Sequence, residues 1–268
     1  MTVRLDISGA LATIALGRSS LNVETKVAFK EAVDCAASNA SVRAVLLTAE
    51  GKNFCVGQDL GEHVAALEAD PETAMETVGI HYNPLIKSLK ELTVPVVVAI
   101  PGACVGAGLG IALAGDVRVA GTNTSFGTAF TGIGLASDSG LSYSLVESLG
   151  ASRASALLLL GDKISAEQAL DWGLIHRLVP DEEVQGTALK LAQRLASGPT
   201  EAYRQVKSLV SASASGLFDA LVREAAAQTH LGQSADHKAA VDAFLAKEKP
   251  VFAGREALPS GTNNYLLG

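Results

Sequence analysis

The chain has 268 residues, 48% of them apolar and 18% charged, enough to bury one large core, which excludes a disordered chain. Aromatics make up only 4% while Ala, Gly, Leu and Val abound, a composition that suits helices packed closely on a sheet, α/β or α+β, rather than an all-β sandwich. The formal charge is -7, and Lys and Arg nowhere gather into a block that would follow a phosphodiester backbone, so nucleic acid is not expected as a partner.

In chain order, Val3 to Ile7 and Leu11 to Leu16 alternate around Ser8-Gly9 and predict a β-hairpin. Asn22 to Ala37 reads as a helix, and Ala44 to Thr48 as a short buried strand stopped by the polar turn at Glu50 to Asn53. A Gly-containing loop follows, Phe54-Cys55-Val56-Gly57-Gln58-Asp59. Leu60 to Leu92 is helical by composition, with interruptions expected around Asp70-Pro71 and Asn83-Pro84 because a residue preceding proline is pushed away from α geometry. Val94 to Ile100 is the most β-branched run and predicts a central strand, apolar on both faces. After Pro101-Gly102 comes a second glycine loop, Gly106-Ala107-Gly108-Leu109-Gly110, then helix through Ala114 and a strand over Val117 to Ala120.

Beyond Gly134 the chain turns mainly helical, with helices expected near Gly140 to Leu149, Ala151 to Leu160, Ser165 to Trp172, Glu183 to Ala196, Thr200 to Ser211, Leu217 to Thr229 and Asp236 to Ala246. Pro199 marks a joint between a core, residues 1–198, and a helical subdomain, 199–254; residues 255–268 lack periodicity and read as a mobile tail. The N-terminus has no apolar stretch after a basic start, and no segment approaches the ~18 apolar residues of a membrane span, so a cytoplasmic protein without a membrane partner is expected. Cys35, Cys55 and Cys104 lack zinc or disulfide spacing, and the five histidines show no metal-ligand pattern, so no metal is expected.

Each glycine loop follows a buried strand and leads into a helix. The first amides of a helix have no intrahelical acceptor, so an oxyanion placed there is stabilised without a charged side chain. The candidate donors are the backbone N–H groups of Gln58 and Ala107. Two other readings of the second loop stand beside this one: a tight structural turn, or a dinucleotide fingerprint, for which the third glycine arrives one residue early.

FCVGQDL, VPVVVAIPGACVGAGLGIALAGDVRVA, SFGTAFTGIGLASDSGLSYSL and GDKISAEQALDWGLIHRLV together resemble the crotonase (enoyl-CoA hydratase/isomerase) superfamily over residues 1–254, and the details FCVGQDL, YNPL, GAG and SADHKAAVDAFLAKEKPVF resemble its phenylacetate-pathway isomerase branch. The resemblance implies a ββα spiral core with a helical C-terminal trimerisation region, assembled as a homotrimer or a dimer of trimers. It also implies an acyl-CoA thioester substrate, with coenzyme A as part of that substrate and no separate cofactor.

Hydratases of this family use two glutamates, one to activate water and one to manage the α-proton. At the matching positions this chain carries Gly110 and Phe130. Asp116 resembles a structural aspartate of the family. Asp138, in Gly134-Leu135-Ala136-Ser137-Asp138-Ser139-Gly140, matches the position where isomerases and dehalogenases carry a working aspartate; the alternative is helix capping, which Ser137 or Ser139 could share. A lone carboxylate suffices for a 1,3-proton shift, which makes an enoyl-CoA isomerase the leading expectation, ahead of a hydratase with a substitute base and a non-catalytic acyl-CoA binder.

For the carrier, the resemblance points to the main chain around Cys55, Val56 and Gln58, to Asp59, Leu60, Val105, Gly106 and Ser137, and to Lys247 and Lys249, with Arg18 a weaker candidate; the lysines also read as ordinary surface residues. His81 and Tyr82, just before Asn83-Pro84, border the expected acyl pocket and read as packing residues, or as a second acid or base.

Overall fold

The computed structural model describes residues 2–198, 200–212 and 217–250. Pro199, the expected joint, and the expected tail lie outside the described residues. The first half alternates strands with helices: β1 (Val3–Ser8), β2 (Leu11–Leu16), β3 (Ser20–Leu21), α1 (Val23–Ser38), β4 (Ala44–Ala49), β5 (Gly57–Gln58), α2 (Leu60–Ala69), α3 (Asn83–Glu91), β6 (Val96–Ile100), β7 (Ala103–Val105), α4 (Ala107–Ala114), β8 (Val117–Gly121) and β9 (Ser125–Gly127). Then follow α5 (Leu141–Leu160), β10 (Ile164–Ser165), α6 (Ala166–Asp171), β11 (Arg177–Val179), α7 (Val184–Ala196), α8 (Thr200–Ala212), α9 (Leu217–Gly232) and α10 (Ala235–Ala246).

The main sheet has the order β1-β2-β4-β6-β8-β11, antiparallel only between β1 and β2; β10-β9-β7 and β3-β5 form two small sheets. β6 is buried on both faces as its composition requires. Val96, Val98 and Ile100 join the large core, and Val97 and Ala99 join a second cluster under the alanine-lined face of α7, Ala188, Ala192 and Ala196.

Proline and glycine shape the helices. Asn83-Pro84 does not break the chain direction: Val78–Tyr82 forms a π-turn whose Asn83 amide bonds Val78 O, and Pro84 follows in the first turn of α3, so the helical run passes through the proline. The π-turn aims Tyr82 into the core, where it is 1% exposed. Gly150, at φ 75 and ψ 158, divides α5 into the two expected helices. α9 packs on α3 and α5, and α10 packs against the turn at Thr131–Ile133, so the C-terminal helices lie over the core's own loops. No helix among the described residues is long and apolar enough to cross a membrane.

Candidate active site

The two glycine loops are stitched to each other. Phe54 and Cys55 amides both reach Ala103 O, at 3.1 and 3.2 Å, and the Val105 amide donates to Cys55 O at 2.9 Å. The first turn of α4 lies directly on this seam: a Cβ at Gly108 would fall 2.2 Å from Cys55 O, so only glycine permits the approach. On the other side β5 pairs with β3 through Val56 N–H to Ser19 O and Asp59 N–H to Leu21 O. Gln58 stands opposite Leu21 in this parallel register, so its own N–H alternates away from β3. Ala107 is the first residue of α4, and its amide donates no backbone hydrogen bond among the described residues. A Cβ at Gly57 would sit 3.6 Å from that Ala107 nitrogen, which places the two loops face to face.

The Gln58 side chain is held on both ends. Its Oε1 accepts from Lys26 Nζ and from the Tyr82 hydroxyl, each at 2.9 Å, and its Nε2 donates to Glu62 Oε1 at 2.8 Å. Lys26 is fully buried, donates to Thr77 Oγ1 at 2.6 Å and lies 4.9 Å from the Tyr82 ring centroid. Burial lowers its pKa, opposed by Glu62. Burial, reinforced by the charge of Asp138, pushes the Tyr82 phenol well above its ordinary range and keeps it a donor.

Asp138 is 6% exposed and sits on the wall of the cavity that Gln58, Gly106 and Ala107 also line. Ser139 Oγ donates to its Oδ1 at 2.8 Å, and Gln228 Nε2, reaching across from α9, lies 3.3 Å from its Oδ2. Ser139 and Gly140 both have left-handed backbones, and Gly140 takes the cap position of α5. Val56, Leu60, Met75, Val78, Phe130 and Leu135 make the wall largely apolar, and among the described residues lining it Asp138 carries the one carboxyl.

A pair of buried histidines closes one side. His63, on α2 and part of the cavity wall, approaches His237 of α10 with Nε2 to Nε2 at 2.7 Å, while His237 Nδ1 lies 2.7 Å from Ile133 O. A carbonyl only accepts, so His237 carries its proton on Nδ1 and receives the Nε2–H of His63. Burial is the main cause that lowers both pKa values, that of His63 to about 4 with the neighbouring His237 and Lys26 adding to the effect.

Of the residues expected at the site, Val56, Gln58, Leu60, Gly106, Ala107 and Asp138 share this cavity. Six others lie outside its wall. Cys55 has both main-chain groups taken by β7 and a thiol that burial pushes to about 12. Asp59 caps α2 and accepts from Arg18 at 2.6 Å and from Ser20 at 2.9 Å. Val105 is a strand residue of β7, Ser137 is buried beside the site, and Lys247 and Lys249 are exposed at and beyond the end of α10. Asp116 accepts from the Val96 amide at 2.7 Å and from Lys207 at 2.5 Å, a structural role. His81 bonds Thr77 at 3.1 Å and faces a separate surface groove, whereas Tyr82 lines the cavity.

Sequence reasoning missed Lys26, His63, Gln228 and His237. Lys26 alone left a trace, as a lysine placed among the buried residues of α1; the others meet only through the fold.

The enoyl-CoA hydratase/isomerase family model matches residues 6–255. A Rhodobacter capsulatus protein named "Probable enoyl-CoA hydratase" is 39% identical over 95% of this chain and 98% of its own length. The 1,2-epoxyphenylacetyl-CoA isomerase of Escherichia coli is 37% identical over 91% of this chain and 95% of its own. A solved Mycobacterium abscessus structure described as "putative Enoyl-CoA hydratase/isomerase" superimposes with a TM-score of 0.78 at 53% identity, covering 94% of this chain and all of the other. With the spiral of strands, the paired glycine loops and these matches in agreement, the chain belongs to the enoyl-CoA hydratase/isomerase, or crotonase, family.

Proposed function

We propose that this member of an acyl-CoA-transforming family is an isomerase that moves a double bond along the acyl group by a 1,3-proton shift. The observation that carries the reading is Asp138, the one carboxyl among the described residues lining the cavity wall, which it shares with Gln58 and Ala107. With a β,γ-unsaturated thioester bound, Asp138 removes a proton from Cα, and the electron pair moves into a dienolate whose oxygen takes hydrogen bonds from the Gln58 and Ala107 amides. Asp138 then returns the proton to Cγ, leaving the α,β-unsaturated thioester. Each such donor is worth on the order of 3 kcal/mol in a preorganised site, so two supply a large share of the barrier reduction.

Gly110 and Phe130 support this over hydration, because the positions that resemble the hydratase glutamates carry no acid. The test is an absorbance assay of the conjugated thioester. Gain with a 3-enoyl-CoA supports isomerisation; loss with crotonyl-CoA and no gain with the 3-enoyl-CoA refutes it in favour of hydration, and saturable binding without turnover refutes both. A ring-derived acyl-CoA belongs in the panel, given the name of the Escherichia coli relative. The expected trimer or dimer of trimers is part of the same proposal. Leu159 and Leu160 stand 74% and 70% exposed on α5, apolar surface that a neighbouring subunit would cover, and light scattering in solution checks it.

A further inference from the structure

Gln228 is 1% exposed, lines the acyl cavity and is bonded through only one end. Its Nε2 donates to Ala136 O and approaches Asp138 Oδ2, both of them acceptors, which fixes the amide's orientation: a flipped side chain would turn oxygen on oxygen. The Oε1 that this leaves has no hydrogen-bond partner among the described residues. A buried carbonyl oxygen without a donor costs about 1–3 kcal/mol, and such groups in folded proteins are satisfied by water or ligand.

His63, part of the same wall, is neutral as well. His63 spends its Nε2–H on His237, so its Nδ1 holds a lone pair, and that nitrogen makes no hydrogen bond among the described residues. Of the hydroxyls on this wall, that of Tyr82 is committed to Gln58 Oε1 and that of Thr128 to Leu157 O, while that of Thr77 pairs with Lys26 and His81; none of them bonds Gln228 Oε1. Gln228 Oε1 is thus the buried acceptor of this wall that the described residues leave without a donor.

We propose that Gln228 is a specificity residue whose Oε1 receives the O–H of a hydroxyl group in the acyl cavity, so that the substrates include acyl-CoA thioesters bearing a hydroxyl on the acyl portion. The proposal rests on the acyl-CoA reading of this cavity and names its substrate more closely. A hydroxylated acyl group replaces the missing donor, while an unsubstituted alkyl chain buries Oε1 without one. A water held at Oε1 has the same chemistry, and the experiment separates the two sources.

Calorimetric titration of the full-length protein with hexanoyl-CoA and with the positional isomers of hydroxyhexanoyl-CoA is the test. None of these ligands has a double bond to shift, so the result is independent of whether Asp138 acts as the base. At least one hydroxy isomer is expected to bind about tenfold more tightly than hexanoyl-CoA, from one additional buried hydrogen bond. That ratio of dissociation constants should collapse to near one in Gln228→Leu, and in Gln228→Met as a second variant should the first fail to fold. No preference in the wild type, together with crotonyl-CoA hydration that Gln228→Leu abolishes, assigns the position to water and overturns the substrate assignment. No preference and no hydration, or a preference unchanged in the variants, overturns the proposal outright.

Discussion

Ser139 fills the space into which any side chain on Gly110 would project: a Cβ at residue 110 would lie 2.6 Å from the carbonyl oxygen of Ser139 and 2.8 Å from its Cβ. The segment that presents Asp138 is thus seated on the bare backbone of α4, where hydratases of the family are expected to carry a glutamate. With Ser139 where it stands, a side chain at residue 110 has no room.

Restoring that glutamate should therefore not create a hydratase. Gly110→Glu is expected to displace the Asp138 segment, lower stability by about 1–3 kcal/mol as overpacking does, and abolish isomerisation without hydration of crotonyl-CoA appearing. Thermal unfolding and the two absorbance assays check it; measurable hydration would show that the loops tolerate both groups.

Asp138→Asn preserves shape and removes the base. Turnover of a 3-enoyl-CoA should fall by about a thousandfold or more, in keeping with the loss of a group that both takes and returns the proton, while affinity for a saturated acyl-CoA stays within severalfold. Steady-state kinetics with calorimetric binding decide it. A variant that keeps a tenth of the wild-type rate would remove Asp138 from the mechanism.

Gly57→Ala probes the pair of amides. Gly57 has φ +88, so alanine there is strained, and the added methyl would lie 3.6 Å from Ala107 N, in front of the amide assigned to the thioester oxygen. We expect kcat/KM to drop about a hundredfold with a stability loss of only about 1–2 kcal/mol. A rate loss no greater than threefold would argue that this amide does not face the reacting oxygen.

Acid should weaken the closure made by His63 and His237. The native His63 pKa is about 4, against 6.5 for an exposed histidine. As pH falls through 6.5 the unfolded chain takes up a proton that the native chain refuses until about pH 4, so stability declines over this window and not above it. The part due to His63 approaches on the order of 3 kcal/mol near the lower end. Melting temperature measured at neutral pH and at mildly acidic pH should fall several degrees further in the wild type than in His63→Phe; parallel profiles would contradict it.

Much of the backbone was legible because it obeys local rules. The hairpin, the double-faced β6, the break of α5 at Gly150 and the helices through α10 follow from periodicity and from glycine and proline chemistry. The two-residue and three-residue strands β3, β5, β7, β9, β10 and β11 were not, since pieces so short carry no periodicity and exist through their partners. The site divides in the same way. Gln58, Ala107 and Asp138 sit in compact motifs, whereas the link from His63 to His237 spans 174 residues and that from Gln228 to Asp138 spans 90, distances over which sequence spacing says nothing. Lys247 and Lys249, which belong to a recognisable segment, stand exposed at and beyond the end of α10, apart from the cavity wall.

Because Gln228 and His237 come from α9 and α10, a nascent chain holds the glycine loops and the aspartate long before it holds the wall that encloses them. Between the synthesis of Asp138 and that of α9, the carboxyl has water where α9 will later lie. An enclosed cavity thus waits for α9 and α10, and a polypeptide shortened by both should leave the Asp138 carboxyl open to water.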